Sequence, residues 1–178
     1  MRTSRRKLDG EGCLHHCYNR IAGPVDYFPF SDTDKEFAFR LLQDLNRLYS
    51  IELISVVLLD NHYHAILYSP AEYLTPEEAA ERHNAYYCDK NSSTYAAWHT
   101  RLDPKFQPEQ CAEMARKLND ISHFIGVFQQ RFAFHVNKAH NRRGRLWADR
   151  FKNVILEGKS ALWPRISRGA SGKLLCVA

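Results

Sequence analysis

Two histidines separated by a single residue carry the strongest chemical signal in the sequence. His62 and His64 follow the turn-forming pair Asp60 and Asn61, after an apolar run over residues 51–59. On a β-strand, alternate side chains project from the same face, so the two imidazoles are expected to lie side by side. Two imidazoles placed in this way can hold a divalent metal ion, and such an ion polarises a bound phosphate. A third ligand has to come from elsewhere in the chain.

The same pattern is open to a simpler interpretation. The chain contains nine histidines, so two of them at alternate positions can also be polar residues on a solvent-facing strand. His15 and His16 adjoin another predicted strand without this spacing, and we interpret both as structural or exposed. The hairpin that contains His62 and His64 favours the hypothesis of a metal site.

Basic residues cluster in two parts of the sequence and occur at one further position of interest. The residues that we predict to neutralise DNA phosphates are Arg5, Arg6, Arg20, Arg142, Arg143, Arg145, Arg150 and Lys152. A charge run is often only a solvated surface. Beside a phosphate site, however, these residues favour a stripe that binds the backbone of a nucleic acid. Trp147 lies within this stripe and either stacks on an unpaired base or belongs to the core.

The overall composition restricts the class of protein. The chain has 178 residues, 44% of them hydrophobic, with a net charge of +5 and a pI near 9.0. These values fit one folded domain and favour an anionic partner without identifying it. The five cysteines form no CxxC pair, and their odd number predicts reduced thiols. Because there is neither a signal-peptide pattern nor an apolar run of ~20 residues, we expect a soluble, cytoplasmic protein with no membrane association.

Hydrophobic periodicity predicts the elements that position these residues. The expected order is strand, helix, strand, strand, helix, strand, over residues 12–22, 32–49, 51–59, 62–69, 108–139 and 145–156. Asp32 or Thr33 is the expected cap of the first helix. Residues 70–107 are expected to form an irregular insert, with a helix start at Thr75. This order predicts an α/β (α+β) fold, a ferredoxin-like split β-α-β sandwich with an antiparallel sheet and one long amphipathic helix.

Three segments resemble motifs of one known family, in the same order. Residues 59–67 (LDNHYHAIL) look like the NHxHxL hairpin of the REP-associated tyrosine transposases, the insertion-sequence-200-like HUH single-tyrosine family. Residues 17–20 (CYNR) resemble the first strand of that family, and residues 142–152 (RRGRLWADRFK) resemble its RxGxLWxxRFK strand. The order and spacing agree over about residues 8–163.

The resemblance implies a chemistry for the two histidines. A Mg or Mn ion on His62 and His64 would orient the scissile phosphate of single-stranded DNA, with a hairpin or palindromic target. A tyrosine on a later helix would attack that phosphate and leave a 5′-phosphotyrosine and a free 3′-hydroxyl. Because the bond energy is kept in this covalent link, the strand can be rejoined without an external energy source. In this family, a side chain one helical turn beyond the tyrosine usually completes the metal shell.

The sequence departs from the family pattern after Trp163. Residues 164–178 contain no tyrosine, asparagine or glutamine and show no helical or strand period. Neither the nucleophile nor the third metal ligand can therefore be assigned. We expect residues 1–163 to form the transposase-like domain and the remainder to be a disordered tail that results from a truncation or frameshift. The tyrosines left as alternative nucleophiles are Tyr86, Tyr87 and Tyr95, the last of which is the final tyrosine of the chain.

The sequence leaves four functions open. The first is a transposase-family protein that binds hairpin DNA with cleavage impaired or lost, and the second is an intact nuclease that uses an unexpected tyrosine. The third is a histidine-metal phosphoesterase that acts on small substrates, which does not account for the arginines. The fourth is a non-catalytic nucleic-acid-binding module with idle histidines. Metal-dependent covalent attachment to DNA distinguishes the second function from the others.

Overall fold

The apolar runs of the sequence form an antiparallel sheet in the structure, a computed structural model that describes residues 12–24, 27, 29–88, 100–156 and, as backbone, 173–176. The strands are β1 (Cys13–Arg20), β2 (Glu52–Leu58), β3 (His62–Ser69), β4 (Lys152–Leu156) and β5 (Lys173–Cys176). The helices are α1 (Asp32–Leu48), α2 (Pro76–Tyr87), α3 (Pro108–Leu118) and α4 (Ile121–Ala139).

The strand order of the sheet is β4-β1-β3-β2-β5, and all neighbouring strands are antiparallel. In this order α1 connects β1 to β2, and α4 precedes β4, which returns to the other edge of β1. This is the split β-α-β arrangement of a ferredoxin-like sandwich, so the predicted α+β fold class is confirmed. The strand predicted over residues 62–69 has the bounds of β3.

Side-chain alternation divides the sheet into two faces, one of which is covered by helices. Tyr63, Ala65 and Leu67 of β3 are buried in the main core cluster together with the apolar residues of α1 and α4. The ring of Phe128 on α4 meets the Tyr63 ring edge-on at a centroid distance of 5.3 Å. Nε2 of Gln129 donates to the Tyr63 hydroxyl at 2.9 Å. We call this side of the sheet the helix face. Burial of each large apolar side chain there contributes about 1.5–3 kcal/mol to the free energy of unfolding.

The prediction of one long helix over residues 108–139 is wrong, because the chain breaks into α3 and α4 at Asn119 and Asp120. Oδ1 of Asp120 accepts from the backbone N–H of Ser122 at 2.7 Å and caps α4. Oδ1 of Asn119 accepts from the backbone N–H of Leu74 at 3.1 Å. Short polar side chains that bond to the backbone in this way favour helix ends over helix interiors, and here they outweigh the continuous apolar stripe.

The strand predicted over residues 145–156 is shorter than expected, since β4 begins only at Lys152. We call the preceding irregular residues 141–151 the arginine segment. Asn141 has a φ of 48° and Gly144 a φ of 90°, so the backbone takes left-handed conformations just before the predicted strand. Instead of a continuous ladder, the segment makes isolated bonds to the end of β1. Leu146 O accepts from Ala22 N–H at 2.7 Å, and Ala148 N–H donates to Arg20 O at 3.0 Å.

Two helices begin at capping boxes. The cap of α1 is Ser31 rather than the expected Asp32 or Thr33: its hydroxyl accepts from Asp34 N–H at 3.2 Å, and the Asp34 carboxylate accepts from Ser31 N–H at 2.9 Å. α2 begins at the predicted Thr75, within the insert that was expected to be irregular. No helix in the described part of the chain is long and apolar enough to cross a membrane.

Part of the predicted disordered tail forms a strand. Lys173–Cys176 is β5, and its backbone pairs with β2 through the register from Ser55 to Leu58. The prediction is therefore wrong for these four residues. The partner strand β2 lies far from these residues in the sequence, so the tail sequence alone does not reveal the pairing. The other residues between 157 and 178 lie outside the described residues.

Candidate phosphate and metal site on the sheet

The two histidines predicted as a pair share one face of the sheet. The rings of His62 and His64 meet edge-on with their centroids 5.3 Å apart, while Tyr63 between them is buried on the helix face. On β1, Arg20 lies directly opposite His62, and Tyr18 lies directly opposite His64. The pairing of two strands therefore places a guanidinium group and an aromatic ring beside the two imidazoles.

Two further side chains belong to the same face. Nε2 of His16 lies 2.8 Å from Nδ1 of His64. Lys152 pairs with Tyr18 from β4, and its Nζ lies 6.0 Å from the centroid of the Tyr18 ring. We call this side of the sheet the histidine face, defined by His16, Tyr18, Arg20, His62, His64 and Lys152.

The turn between β2 and β3 fixes the position of His62 at the start of its strand. Leu59 N–H donates to His62 O at 2.9 Å and closes the hairpin. Asp60, in the turn, forms an ion pair with Lys35 of α1 at 2.5 Å, and its backbone carbonyl accepts from Phe30 N–H at 3.0 Å. The turn is thus held by α1 and by the loop that precedes it.

Asn61 sets the orientation of the His62 ring. Its Nδ2 donates to Tyr27 O at 3.2 Å, which leaves Oδ1 at 2.7 Å from Nδ1 of His62. An amide oxygen only accepts, so Nδ1 of His62 carries the ring proton and Nε2 keeps its lone pair. Asn61 is only 7% exposed, and this contact is therefore shielded from competing water.

Both imidazoles of the pair are neutral at pH 7. Burial lowers the pKa of His62, the nearby charge of Arg20 lowers it further, and Asp60 acts weakly in the opposite direction. Burial lowers the pKa of His64 as well, and the neighbouring His62 adds to the effect. Because the ordinary pKa of histidine is about 6.5, both rings are unprotonated at neutral pH. This is the form that binds metal ions.

The arginine segment docks on the end of β1 that carries Arg20. Nδ2 of Asn19 donates to Asp149 O at 2.9 Å, and Ile21 forms an isolated bridge with Trp147. These bonds add to the two backbone contacts described above. The exposed basic side chains of the segment are Arg143, Arg145 and Arg150. The structure therefore brings these predicted residues to the end of β1 where Arg20 and His62 lie.

Three other residues were predicted to contact DNA, namely Arg142, Arg5 and Arg6. The Arg142 guanidinium lies 5.4 Å from the centroid of the Tyr27 ring. Its Nη1 is buried and has no hydrogen-bond partner among the described residues. Arg142 is thus packed against the neighbouring loop rather than extended into solvent. Arg5 and Arg6 lie outside the described residues.

Trp147 belongs to the core and is not a platform for an unpaired base. It is 8% exposed, and its Nε1 donates to Gln129 O at 2.9 Å. Its ring packs edge-on against Phe30 and Tyr63 at centroid distances of 6.3 and 5.5 Å. Of the two interpretations left open by the sequence, the structural one holds.

Tyr86 and Tyr87 lie on the side of the sheet opposite the two histidines. Their hydroxyls accept from Nη1 and Nη2 of Arg131, each at 2.9 Å. Arg131 belongs to α4, which packs on the helix face. Neither tyrosine can reach a phosphate held at His62 and His64 unless the helix layer opens, so the hypothesis that one of them is the nucleophile is not supported. Tyr95 lies outside the described residues.

Sequence reasoning missed two members of the histidine face. His16, interpreted as structural or exposed, is 8% exposed and contacts His64. Tyr18 was not singled out, yet its ring stacks on that of His64 with a centroid distance of 5.5 Å. The signal that points to them is parity, because positions 16, 18 and 20 of one strand project to the same side.

The donor set of the histidine face fits part of a metal site. His62 and His64 are the residues that would hold a divalent ion. Among the described residues, no group of three or more histidine, cysteine, aspartate or glutamate side chains is arranged to hold a metal ion. Of the two ions that the resemblance implies, Mn²⁺ is the transition metal and accepts imidazole nitrogen more readily than Mg²⁺, so Mn²⁺ is the more suitable probe of the two.

Comparisons with known proteins give similarity to solved structures and no match among family models or curated sequences. Among solved structures, the chain is similar to that of a REP-associated tyrosine transposase bound to a REP hairpin, with 11% sequence identity and a TM-score of 0.48. The similarity covers 89% of this chain and 65% of that one. The chain thus spans somewhat less than two thirds of the length of that structure.

Proposed function

We propose that the histidine face binds single-stranded, hairpin-forming DNA. One phosphate would be held at His62 and His64, and the backbone would continue along the arginine segment. The observation that carries the proposal is the pairing of Arg20 with His62 and of Tyr18 with His64 on neighbouring strands. Cations that neutralise phosphates provide much of the affinity for nucleic acids. The three motifs that resemble HUH transposases support hairpin DNA as the ligand over other polyanions.

Five of the six side chains of the face have a chemical role in the proposal. Arg20 and Lys152 neutralise phosphate oxygens near the imidazole pair. A Mn²⁺ or Mg²⁺ ion at His62 and His64 supplies, when bound, a Lewis acid that polarises the phosphate. Tyr18 is half-buried and offers an aromatic ring to an unpaired base, the contact by which single-strand binders gain sequence-tolerant affinity.

Strand cleavage needs a nucleophile that the histidines do not provide. In the proposed chemistry this is a tyrosine hydroxyl, which exchanges one phosphoester bond for another. Tyr86 and Tyr87 are bonded to Arg131 on the helix face, and residues 96–178 contain no tyrosine. Tyr18 lies beside His64 on the histidine face, where we assign its ring to base stacking and not to attack on the phosphate. We therefore expect this chain to act as a transposase-like DNA-binding protein whose cleavage is impaired.

Fluorescence anisotropy with a labelled single-stranded hairpin oligonucleotide tests the binding. We expect affinity at low salt that falls as salt rises, with a slope of log K against log [salt] of about −0.7 per neutralised phosphate of a single strand. Lys152→Ala is expected to bind more weakly. Lys117→Ala is the matched control, because Lys117 lies on α3 beside Glu113. If the affinity does not change with salt concentration, or if Lys152→Ala and Lys117→Ala lose the same affinity, the histidine face is ruled out as the DNA site.

A denaturing gel tests the expectation about cleavage. The protein is incubated with the labelled hairpin and Mn²⁺, and we expect no labelled band of protein size. A slow band that carries both label and protein would contradict the expectation of impaired cleavage. In that case Tyr18→Phe would show whether the tyrosine of the histidine face is the nucleophile.

A further inference from the structure

We propose that His16 is a positioning residue: by accepting a hydrogen bond from Nδ1 of His64, it leaves Nε2 of His64 free to bind a divalent ion. The inference rests on the proposed metal role of His62 and His64. It assigns a function to a buried imidazole that lies behind the pair and that neither the sequence pattern nor the proposed DNA contacts explain.

The contact between the two rings requires a division of roles. Nε2 of His16 and Nδ1 of His64 lie 2.8 Å apart, and between two neutral imidazoles only one nitrogen can carry the shared proton. When His64 is the donor, its Nε2 keeps a lone pair. When His16 is the donor, His64 has its proton on Nε2 and cannot bind a metal ion there. The direction of this one hydrogen bond thus decides whether His64 is a ligand.

His62 already has the arrangement that the inference assigns to His64. Oδ1 of Asn61 accepts from Nδ1 of His62 at 2.7 Å and leaves Nε2 available. With His16 as the acceptor, both His62 and His64 keep Nε2 available to a metal ion. Nδ1 of each ring then donates to a buried acceptor, Asn61 for His62 and His16 for His64. Such partners of metal-bound histidines fix the tautomer and the ring orientation, and their loss typically lowers metal affinity about 10- to 100-fold.

Packing holds the His16 ring in the position that this role requires. The planes of the His16 and His64 rings lie 17° from parallel with centroids 5.0 Å apart, as expected of two imidazoles placed side by side and joined by one hydrogen bond in the ring plane. The His16 ring also stacks on the ring of Tyr18 at 5.1 Å and 26°. Because Nε2 of His16 accepts from His64, its Nδ1 carries the ring proton. Neither nitrogen of His16 is then available to a metal ion, so His16 supports the ligand and is not itself a third ligand.

Calorimetric titration of the full chain with MnCl₂ alone tests the inference. We expect His16→Phe, which keeps a flat ring but has no acceptor, to bind Mn²⁺ about 10- to 100-fold more weakly. His16→Gln should recover most of the affinity, because its amide oxygen can accept from His64. The matched control is His123→Phe, which removes a half-buried histidine whose Nδ1 lies 2.7 Å from the Tyr49 hydroxyl. This variant should retain wild-type affinity.

A second measurement uses only the wild-type protein and does not depend on whether a variant folds. Long-range ¹H–¹⁵N correlation spectra report which ring nitrogen of each histidine is protonated. We expect the metal-free protein to carry the His64 proton on Nδ1. A proton on Nε2 of His64 would overturn the inference.

The titration separates this inference from the proposed function. Full Mn²⁺ affinity in His16→Phe, equal losses in His16→Phe and His123→Phe, or no rescue by His16→Gln would each overturn it. Wild-type protein that binds the hairpin but shows no Mn²⁺ binding would also overturn it and would leave DNA binding intact. Protein that binds Mn²⁺ with the expected order of variants but does not bind the hairpin would support the inference and refute the proposed function.

Discussion

His15 and His16 are neighbours on β1, but their side chains lie on opposite faces of the sheet. His16 lies on the histidine face, whereas His15 points to the other side, where its Nδ1 lies 3.2 Å from Oδ1 of Asn153. Burial lowers the pKa of His15 there. A slip of β1 by one residue would exchange the two faces and remove Tyr18 and Arg20 from the neighbourhood of the imidazole pair. The chemistry of the site therefore depends on the register between β1 and β3.

The exposed side chain of Arg20 is the residue for which the DNA proposal makes the sharpest prediction. Its guanidinium lies close enough to His62 to lower the pKa of that ring, so it adjoins any phosphate held there. We expect Arg20→Ala to bind the hairpin oligonucleotide more weakly at low salt. The slope of log K against log [salt] should decrease by about 0.7–0.9, the value for one phosphate contact. Fluorescence anisotropy over a series of salt concentrations measures both quantities.

Arg40→Ala is the control for this substitution. Arg40 is also an exposed arginine, but it lies on α1 and pairs with Glu36 at 3.0 Å. Arg40→Ala removes one positive charge, as Arg20→Ala does, but it leaves the histidine face unchanged. If the two variants lose the same affinity and the same salt dependence, net charge explains the binding, and Arg20 makes no specific phosphate contact.

At the scale of elements, the junction of α3 and α4 shows how two side chains divide an apolar stripe. Asp120 caps α4, and Nδ2 of Asn119 donates to Leu74 O at 3.4 Å, so that Asn119 holds Leu74 through both backbone groups. Ser50 N–H in turn donates to Leu118 O at 3.1 Å, which satisfies one of the carbonyls left at the end of α3. The break thus connects the helices to the segments before α2 and β2.

Removal of the α4 cap is expected to destabilise the fold. Asp120→Ala leaves the backbone N–H of Ser122 without its acceptor, and loss of such a cap costs about 1 kcal/mol in the free energy of unfolding. Asp120→Asn keeps a side-chain oxygen at the same place and should remain close to wild type. Urea unfolding monitored by circular dichroism measures the difference. If Asp120→Asn loses as much as Asp120→Ala, the negative charge at the helix start, and not the cap hydrogen bond, is what stabilises the junction.

The sequence predicts those elements whose signals lie within their own residues. β3 and the start of α2 at Thr75 are examples, because alternation, a cap and a following proline are local features. The features that were not predictable depend on distant partners. Asn119 contacts Leu74, 45 residues away, and His16 contacts His64, 48 residues away. The register between β1 and β3 has to be known before the contact of His16 with His64 can be inferred. The packing of the α3–α4 junction against the segment before α2 has to be known before the contact of Asn119 with Leu74 can be inferred.

At the scale of the whole molecule, a single carboxylate joins the first turn of α1 to the end of α4. The Asp34 side chain is 1% exposed, and its two oxygens lie 3.0 Å from Nε2 of His135 and 2.7 Å from Nε2 of His140. Burial raises the pKa of Asp34, but hydrogen bonds from Ser31 and His140 together outweigh it, so the pKa lies below its ordinary value. The helix layer is therefore held in part by an ionised group.

This carboxylate makes the stability of the molecule depend on pH in a defined direction. A group whose pKa is lower in the folded state stabilises the fold above its unfolded pKa, which is about 3.9 for aspartate. The contribution is lost as the pH falls through the folded pKa. We expect Asp34→Asn to reduce the free energy of unfolding at about pH 7 by about 1.5–3 kcal/mol, because hydrogen bonds to a charged group are lost. Urea unfolding of both proteins over a pH series measures this difference.

The pH dependence of that difference is what identifies the ionised carboxylate as the cause. Below about pH 4 the wild-type protein loses the contribution of Asp34 while Asp34→Asn has none to lose, so the two free energies of unfolding should converge. Asp44→Asn, which replaces a 41% exposed aspartate beside Arg47, should stay close to wild type throughout. A gap between wild type and Asp34→Asn that is the same at about pH 7 and about pH 3 would mean that shape and packing at this position, not its charge, join α1 to α4.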